Sequence, residues 1–376
     1  MDLKLTTKLT TEQEIDDFIR GCTFFGTGGG GLPANGKRSL MDELAAGREV
    51  GWIDVNEIPD EATSVCPFLM GSIAPHTPET IEEMKGYEMT EKTSLNLEGD
   101  RMAKAILALQ EYTGKTFDVV VPIELAGANT PAAMAAASKL GIVTVDGDYT
   151  GRAIPEIVQI TFNYKGHCLT PVASVDEWGN ECIIKSAINP RTLEHIGKLI
   201  SVAGYGLAGQ AGMALDGKNT RDTVIPGTLS ECYRAGRILR EAREAGRDPV
   251  KALLDAFGGY ELGRGTITVK DDKDDAGYYW GTVTVDCGDD ELKYWFKNEN
   301  HVVWKNGEPS VTSPDIIAAI DTDTGEPVPN PLSQVGQNIA LVALPCKPQQ
   351  KDTTLLTPRY FGFDIDHIPV EQLMEK

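Results

Sequence analysis

The feature that most restricts the fold is an alternation of apolar strands and helix-forming segments between residues 64 and 148. In chain order, the segments are SVCPFLMGSI, GDRMAKAILALQEY, FDVVVPIEL, TPAAMAAASKLG and IVTVDGD. The strand segments are apolar on both faces, which is typical of buried parallel strands joined by helices. We therefore predict that residues 1–166 form a three-layer α/β domain with a largely parallel sheet.

The second half of the chain has a different pattern. HCLTPVASVDEWGNECIIKSA predicts a hairpin that turns at Trp178-Gly179-Asn180, and helical periodicity follows at about residues 190–258. Closely spaced strand segments come next, among them GTITVK, GYYWGTVTVD and QNIALVALP. We predict a mostly β, barrel-like domain with inserted helices over residues 167–376, whose C-terminal segment returns to the first domain.

The charge balance excludes some partners. The chain has 35 basic and 56 acidic residues, a formal net charge of −21, which repels nucleic acid and anionic membranes. Seven scattered cysteines without a C-x-x-C pair, and no long apolar stretch or signal sequence, predict a cytoplasmic protein without nucleic-acid or membrane partners. For an acidic two-domain protein of this size we expect a homo-oligomer.

The stretch CTFFGTGGGGLP contains the spacing G-x-G-x-x-G at Gly26, Gly28 and Gly31. A dinucleotide site needs a strand before this loop and a helix directly after it. Here Thr11 and Glu14 predict a capping box, so a helix leads into the glycines, and the next helix is predicted only at about residues 40–46. The pattern favours a tight loop that approaches an anion or another backbone, and a nucleotide-dependent enzyme remains an alternative.

Polar residues follow two neighbouring strands of the predicted parallel sheet, where α/β proteins bind ligands. They are Glu124, Asn129, Asp146, Asp148, Arg152 and Glu156. Paired carboxylates at such an edge can raise one another's pKa and serve as general acid and base. Each of them can equally cap a helix or brace a turn.

The same edge raises the question of a metal. The run from Asp146 resembles a calcium loop, but Ile157 stands where the bidentate Glu is required, and a strand precedes the run. No cofactor is required by the sequence, and a divalent metal held by the strand-end carboxylates remains open. Near the C-terminus, LTPRYFGFDIDHIP adds Arg359 and Asp364, which either pack or line a cleft.

Four segments taken together, FGTGGGG, IELAGAN, VDGDYTGRAIPE and LTPRYFGFDID, resemble the S-methyl thiohydantoin desulfurase family over nearly the whole chain. The resemblance implies an α/β domain followed by a mostly β domain. It also implies hydrolytic removal of methanethiol from an S-methylated thiohydantoin, with a small cyclic substrate and hydantoinase- or oxoprolinase-type proteins as neighbours. The segment SIAPHTPETIEEM departs from the pattern expected for the family, so the substrate is expected to differ.

The resemblance gives each candidate a role. Asp146, Asp148 or Glu124 would be the general base, and a second acid would protonate the thiol. Arg152 and the backbone N–H groups of Gly28, Gly29, Gly30 and Gly31 would stabilise negative charge on the ring. Asn129, Glu156, Arg359 and Asp364 would contact the substrate. A non-catalytic partner subunit of a hydantoinase-type enzyme is the alternative from a different class.

Overall fold

The computed structural model describes residues 3–72, 76–95 and 97–374. Its first sheet has eight strands in the order β1-β2-β5-β4-β3-β9-β7-β8. They are β1 Thr7–Leu9, β2 Val50–Ile53, β3 Thr63–Met70, β4 Val119–Val120, β5 Val143–Val145, β7 Val172–Val175, β8 Glu181–Ile184 and β9 Ala208–Asp216. The pairs β2–β5, β5–β4 and β4–β3 are parallel, and the flanking pairs are antiparallel. The predicted α/β class is confirmed, with its parallel strands in the middle of a mixed sheet.

Helices cover both faces of this sheet. The helices are α1 Glu12–Phe25, α2 Pro33–Ala45, α3 Pro78–Gly86, α4 Glu98–Thr113, α5 Asn129–Leu140, α6 Thr161–Tyr164, α7 Pro190–Ala203, α8 Gly217–Thr223, α9 Thr228–Glu244, α10 Pro249–Phe257 and α11 Glu371–Met374. On one face Met102 of α4 and Ala136 of α5 pack on Val65 and Val120. On the other face Leu193 of α7 packs in the core that contains Phe68. This arrangement gives the predicted three layers.

The second sheet has seven antiparallel strands in the order β15-β14-β13-β12-β11-β17-β16. They are β11 Tyr260–Asp275, β12 Tyr278–Asp286, β13 Glu291–Lys297, β14 Glu299–Lys305, β15 Glu308–Thr312, β16 Ile316–Asp321 and β17 Asn338–Leu344; a small pair, β6 Gly147–Asp148 and β10 Ile225–Pro226, lies apart. The sheet curls as a half-barrel around a core that includes Val283, Tyr294 and Leu341. The predicted β domain with inserted helices is confirmed.

The glycine loop differs from the prediction on one side. The capping box forms, since Thr11 Oγ1 accepts from Glu14 N and Glu14 Oε2 accepts from Thr11 N. However, α2 begins at Pro33, two residues after Gly31, and not near residue 40. Asn35 and Gly36 lie inside this helix, and Gly36 packs so tightly that a Cβ would lie 2.1 Å from the Gly127 carbonyl oxygen.

One strand was missed altogether. The segment AGQAGMALD lies between helices in sequence, but it forms β9 and pairs with both β3 and β7. Its small residues permit close packing: a Cβ at Gly209 would lie 2.6 Å from the Met102 backbone nitrogen in α4. The first sheet therefore draws strands from beyond residue 166, and the division of the chain at that residue stays a prediction.

The C-terminal segment lies against the loop that follows β6. Gln159 Nε2 donates to Leu355 O over 2.8 Å, and Tyr360 Oη donates to Glu156 Oε2 over 2.6 Å. Within the described ranges, no helix is long and apolar enough to span a bilayer.

Candidate functional site

A small pocket of about 60 Å³ lies where the first sheet meets β14 and α7. Its apolar wall comes from the end of β3 and from two loops, and its polar wall comes from both halves of the chain. The lining residues that matter below are Gly30, Gly31, Glu124, Asn129, Glu194, Lys198 and Glu299. Three carboxyl groups and one ammonium therefore face a volume that holds only a small ligand.

Glu124 lies in the loop after β4 and is buried. Its Oε1 accepts a hydrogen bond of 2.7 Å from Asn129 Nδ2, and its Oε2 accepts one of 2.8 Å from the Ile154 backbone N–H. Burial raises the pKa of Glu124 to about 7, and these two bonds oppose the rise. The group is held in one orientation and changes protonation near neutral pH, as an efficient general base does.

Glu299 is the first residue of β14 and is 1% exposed. Among the described residues its Oε2 has no hydrogen-bond partner. Burial, and then the nearby charge of Glu124, raises the pKa of Glu299 well above its ordinary value. A Cβ at Gly29 would lie 2.0 Å from Glu299 Oε1, so the glycine leaves the space that this carboxyl occupies.

Lys198 and Glu194 lie one turn apart on the buried side of α7. Lys198 Nζ donates to the carbonyl oxygens of Gly71, over 3.2 Å, and Gly277, over 3.1 Å, and lies 4.0 Å from Glu194 Oε1. Burial lowers the pKa of Lys198, and the Glu194 carboxylate opposes that change. An ammonium has three donors, so one N–H remains beyond the two carbonyl bonds.

A second, outer pocket of about 300 Å³ shares Glu194 and Lys198 with the first. Glu156 lines it, pairs with Lys297 and accepts from Tyr360 Oη. Lys297 Nζ also lies 4.0 Å from the centre of the Tyr278 ring. Of the residues predicted to bind substrate, Glu156 thus belongs to the approach to the inner pocket.

Asp148 and Asp146 lie away from the lining of both pockets. Asp148 is fully buried and accepts four hydrogen bonds of 2.8–2.9 Å, from Thr150 N and Oγ1, Gly151 N and Thr228 Oγ1. Burial raises the pKa of Asp148 to about 6. Asp146 accepts from the backbone N–H and the hydroxyl of Ser230 in the first turn of α9. Both carboxylates join the segment that follows β5 to the first turn of α9.

Arg152 is buried at the junction of the two sheets and does not line the pocket. Its guanidinium donates five hydrogen bonds, to Ala153 O, Pro314 O, Asp315 O, Asn300 O and Thr27 Oγ1. A guanidinium has five N–H donors, so none is left for a substrate. Burial lowers the pKa of Arg152 to about 10.

The four glycines have separate tasks. Gly30 and Gly31 line the inner pocket, and a Cβ at either would lie within 2.6 Å of the methyl group of Ala126 or Ala128. Gly28 packs on the Asn330 side chain, and Gly29 packs on Glu299. Gly28, Gly30 and Gly31 have φ between 75° and 93°, a region that favours glycine. The loop joins two helices and serves close packing, which disfavours a diphosphate cradle.

Arg359 and Asp364 lie at the surface. Arg359 Nη1 lies 2.7 Å from Asp364 Oδ1, with 55% and 95% of the two side chains exposed. Neither lines the two pockets described above. The segment that departs from the expected family pattern, residues 72–84, is described only in part: residues 73–75 lie outside the described ranges, and α3 starts at Pro78.

Glu299, Lys198 and Glu194 were not predicted from the sequence. In α7 the charged pair points inward, whereas Leu199 and Val202 are more than half exposed. Apolar periodicity alone predicts the opposite, with Leu199 and Val202 buried and the charged pair exposed. Glu299 carries no local signal, because it begins an ordinary strand whose neighbour in space, Gly29, is remote in sequence.

The described ranges contain no group of three or more His, Cys, Asp or Glu side chains positioned to hold a metal ion. Of the strand-end carboxylates, Glu124 lines the inner pocket, whereas Asp148 accepts hydrogen bonds within its own turn.

Comparisons with known proteins agree with this architecture. The model of the S-Me-THD-like N-terminal domain matches residues 13–186, and that of the S-Me-THD-like C-terminal domain matches residues 188–370. A crystal structure of a protein from Chromobacterium violaceum, a target of the Northeast Structural Genomics Consortium, aligns with a TM-score of 0.77 and 22% identity over 97% of this chain and 100% of that chain. This likeness shows the fold. Among curated proteins no significant match was found.

Proposed function

The chain belongs to the S-Me-THD-like family, and we propose that it is a hydrolase that removes methanethiol from an S-methyl thiohydantoin-type ring. The observation that supports this most is the inner pocket itself. It combines a carboxyl whose pKa is about 7, Glu124, with a buried ammonium, Lys198, inside an apolar wall. A small, flat, uncharged ring suits such a pocket, and a nucleotide does not.

The proposed reaction begins with water. Glu124 in its carboxylate form takes a proton from a water molecule, whose oxygen adds to the ring carbon that carries the S-methyl group. The C=N double bond of the ring becomes a single bond, and its nitrogen takes that proton from Glu124. The tetrahedral intermediate then collapses: its hydroxyl gives its proton to Glu124, the C–S bond breaks, and a C=O bond forms. The products are methanethiol and the corresponding hydantoin, so no oxidant or reductant is needed.

We assign the second proton transfer to Lys198. Burial has lowered the pKa of its ammonium, which makes it a better acid towards a departing thiolate than an exposed lysine. Glu194 lies 4.0 Å from its Nζ and keeps the protonated form populated. After each turnover Glu124 carries the extra proton and Lys198 lacks one, and exchange through the outer pocket restores both groups.

The roles proposed for the other predicted residues are supporting ones. Asp146 and Asp148 hold the turn after β5, and Arg152 fastens that turn to the second sheet through backbone carbonyls. Asn129 orients Glu124 by its 2.7 Å hydrogen bond. Association with a hydantoinase-type protein, assembly into a homo-oligomer and cytoplasmic residence stay predictions.

The test is turnover by the purified protein alone. S-methyl thiohydantoins and plain hydantoins are supplied, thiol release is followed with a thiol-reactive dye, and ring opening is followed by chromatography. We expect thiol release without ring opening, and its loss in Glu124→Gln. Turnover that requires an added hydantoinase-type partner would instead support the subunit role, and thiol release unchanged in Glu124→Gln would refute the assigned base.

A further inference from the structure

We propose that Glu299 recognises the lactam edge of the ring, the neighbouring N–H and C=O of its –CO–NH– group, through a pair of parallel hydrogen bonds. The inference rests on the proposed function for the identity of the ring. It adds which atoms of the ring the pocket recognises and which substituents on the ring weaken binding.

The first observation is an unsatisfied atom. Glu299 is 1% exposed, and its Oε2 has no partner among the described residues. Buried polar atoms in native proteins nearly always have a hydrogen-bond partner. Glu299 lines the inner pocket, so a ligand in that pocket is the natural source of the missing partner.

The second observation is that, among the described residues, neither neighbouring cation forms a hydrogen bond or ion pair with Glu299. Arg152 uses its five N–H donors on other acceptors, and Lys198 bonds to the carbonyls of Gly71 and Gly277. Without an ion pair, a buried carboxyl favours its neutral form. The raised pKa of Glu299, caused first by burial and then by Glu124, agrees with this.

A neutral carboxylic acid offers one O–H donor beside one C=O acceptor. A lactam presents the matching pair, an N–H donor beside a C=O acceptor, on one edge of a planar ring. An S-methylated thiohydantoin has one such edge, at N3–H and C4=O, because the carbon with the S-methyl group lies on the other side of N3. Glu299 would therefore hold that edge and leave the S-methyl carbon for Glu124.

The ligand test uses two methyl isomers of equal size. Binding of hydantoin, 1-methylhydantoin and 3-methylhydantoin to the whole protein is measured by calorimetry, without any turnover. We expect 1-methylhydantoin to bind within about threefold of hydantoin and 3-methylhydantoin at least tenfold more weakly, because N3 has lost its donor. The N1–H and C2=O edge that 3-methylhydantoin keeps could pair with Glu299 only if the ring turned in the pocket. Equal affinity for the two isomers, or no binding of hydantoin at millimolar concentration, would overturn the proposal.

The protein test uses variants at the same position. Glu299→Gln keeps one donor and one acceptor, so the tenfold preference for 1-methylhydantoin should persist. Glu299→Leu removes both, so the preference should fall to threefold or less. If Glu299→Leu kept the tenfold preference for 1-methylhydantoin, a group other than Glu299 would recognise the lactam edge.

A second variant moves the carboxyl without removing it. Gly29→Ala puts a methyl group where Glu299 Oε1 lies, and it should weaken hydantoin binding at least fivefold. Gly86→Ala is the matched control, because nothing lies within 4 Å of its added Cβ, and it should leave binding unchanged. Wild-type hydantoin affinity in Gly29→Ala would count against the proposal even if Glu299→Leu fails to fold.

The outcome separates the inference from the proposed function. If the methyl isomers differ as expected but no S-methyl ring releases thiol, the ring site stands and the desulfurase reaction fails. If thiol is released while the isomers bind equally, the reaction stands and the role of Glu299 fails.

Discussion

Glu124 and Asp148 invite comparison, because both follow neighbouring parallel strands, both are buried, and burial raises the pKa of each, to about 7 and about 6. They differ in what surrounds their oxygens. Asp148 accepts four hydrogen bonds from its own turn and from α9, whereas Glu124 accepts two and lines the pocket. A raised pKa therefore does not by itself distinguish a pocket-facing carboxyl from a structural one, and we propose that free hydrogen-bonding capacity beside a cavity does.

The comparison extends to the whole strand edge. Asp146, Asp148 and Arg152 form their hydrogen bonds with other groups of the protein. We propose that their role is to hold the strand edge in place. Glu124, Glu299 and Lys198 face the pocket with capacity left over. Substitutions in the two groups should therefore have different effects, on stability in the first and on turnover in the second.

The largest expected effect is on turnover in Glu124→Gln. An amide keeps the hydrogen bond from Asn129 but cannot accept a proton, so kcat/KM for thiol release should fall by about 10²–10⁴-fold. Melting temperature should fall slightly, because the amide nitrogen of Gln cannot accept the hydrogen bond that the Ile154 N–H donates to Glu124 Oε2. Asp146→Asn is the control, at a carboxylate outside the pocket, and should keep kcat/KM within about threefold.

The next effect is on stability in Asp148→Ala. The substitution leaves the backbone N–H groups of Thr150 and Gly151 buried without an acceptor, at a cost of about 3–5 kcal/mol in the free energy of unfolding measured with urea. Asp148→Asn keeps an acceptor for those two groups and should cost less than about 1.5 kcal/mol.

Asp148→Asn also decides the earlier prediction that Asp148 is catalytic. If Asp148 only braces the turn, the variant should release thiol at close to the wild-type rate. A folded Asp148→Asn protein without turnover would return Asp148 to the catalytic machinery and remove the distinction drawn from hydrogen-bond counts.

Local patterns in the sequence were sufficient for the fold class. Apolar strands that alternate with helices predict the parallel centre of the first sheet, and the capping box of Thr11 and Glu14 predicts the start of α1. Strand β9 was not predicted, because a segment rich in alanine and glycine has little intrinsic strand propensity. Its position is determined by α4 packing on Gly209, which is a contact between distant parts of the chain.

The candidate site was predictable only in part. Glu124 could be found because α/β sheets bind ligands at the ends of their strands. Glu299 and Lys198 come from the second half of the chain, and no spacing relates them to Glu124. The sequence also could not separate Glu124 from Asp148, because hydrogen-bond satisfaction depends on partners such as Thr228 that only the folded chain brings near.

The last and smallest effect is a pH dependence with opposite signs for activity and stability. The base must be ionised, so kcat/KM should fall about tenfold per pH unit below the Glu124 pKa of about 7. Stability should change the other way. The folded pKa lies above the ordinary value of 4.5, so the native state binds the proton more tightly, and stability present below pH 4.5 is lost as the pH rises towards 7.

Glu124 contributes at most about 1.4 kcal/mol per pH unit to this loss. Urea unfolding at pH 5, 6, 7 and 8 should therefore show a shallower decline in Glu124→Gln than in the wild type. Asp148, with a pKa of about 6, contributes to the loss of stability with the same sign, and its contribution should remain in both proteins. If the free energy of unfolding changed with pH equally in the two proteins, Glu124 would ionise in the folded state as easily as in the unfolded state. The electrostatic reason for treating Glu124 as a base and Asp148 as a structural group would then be lost.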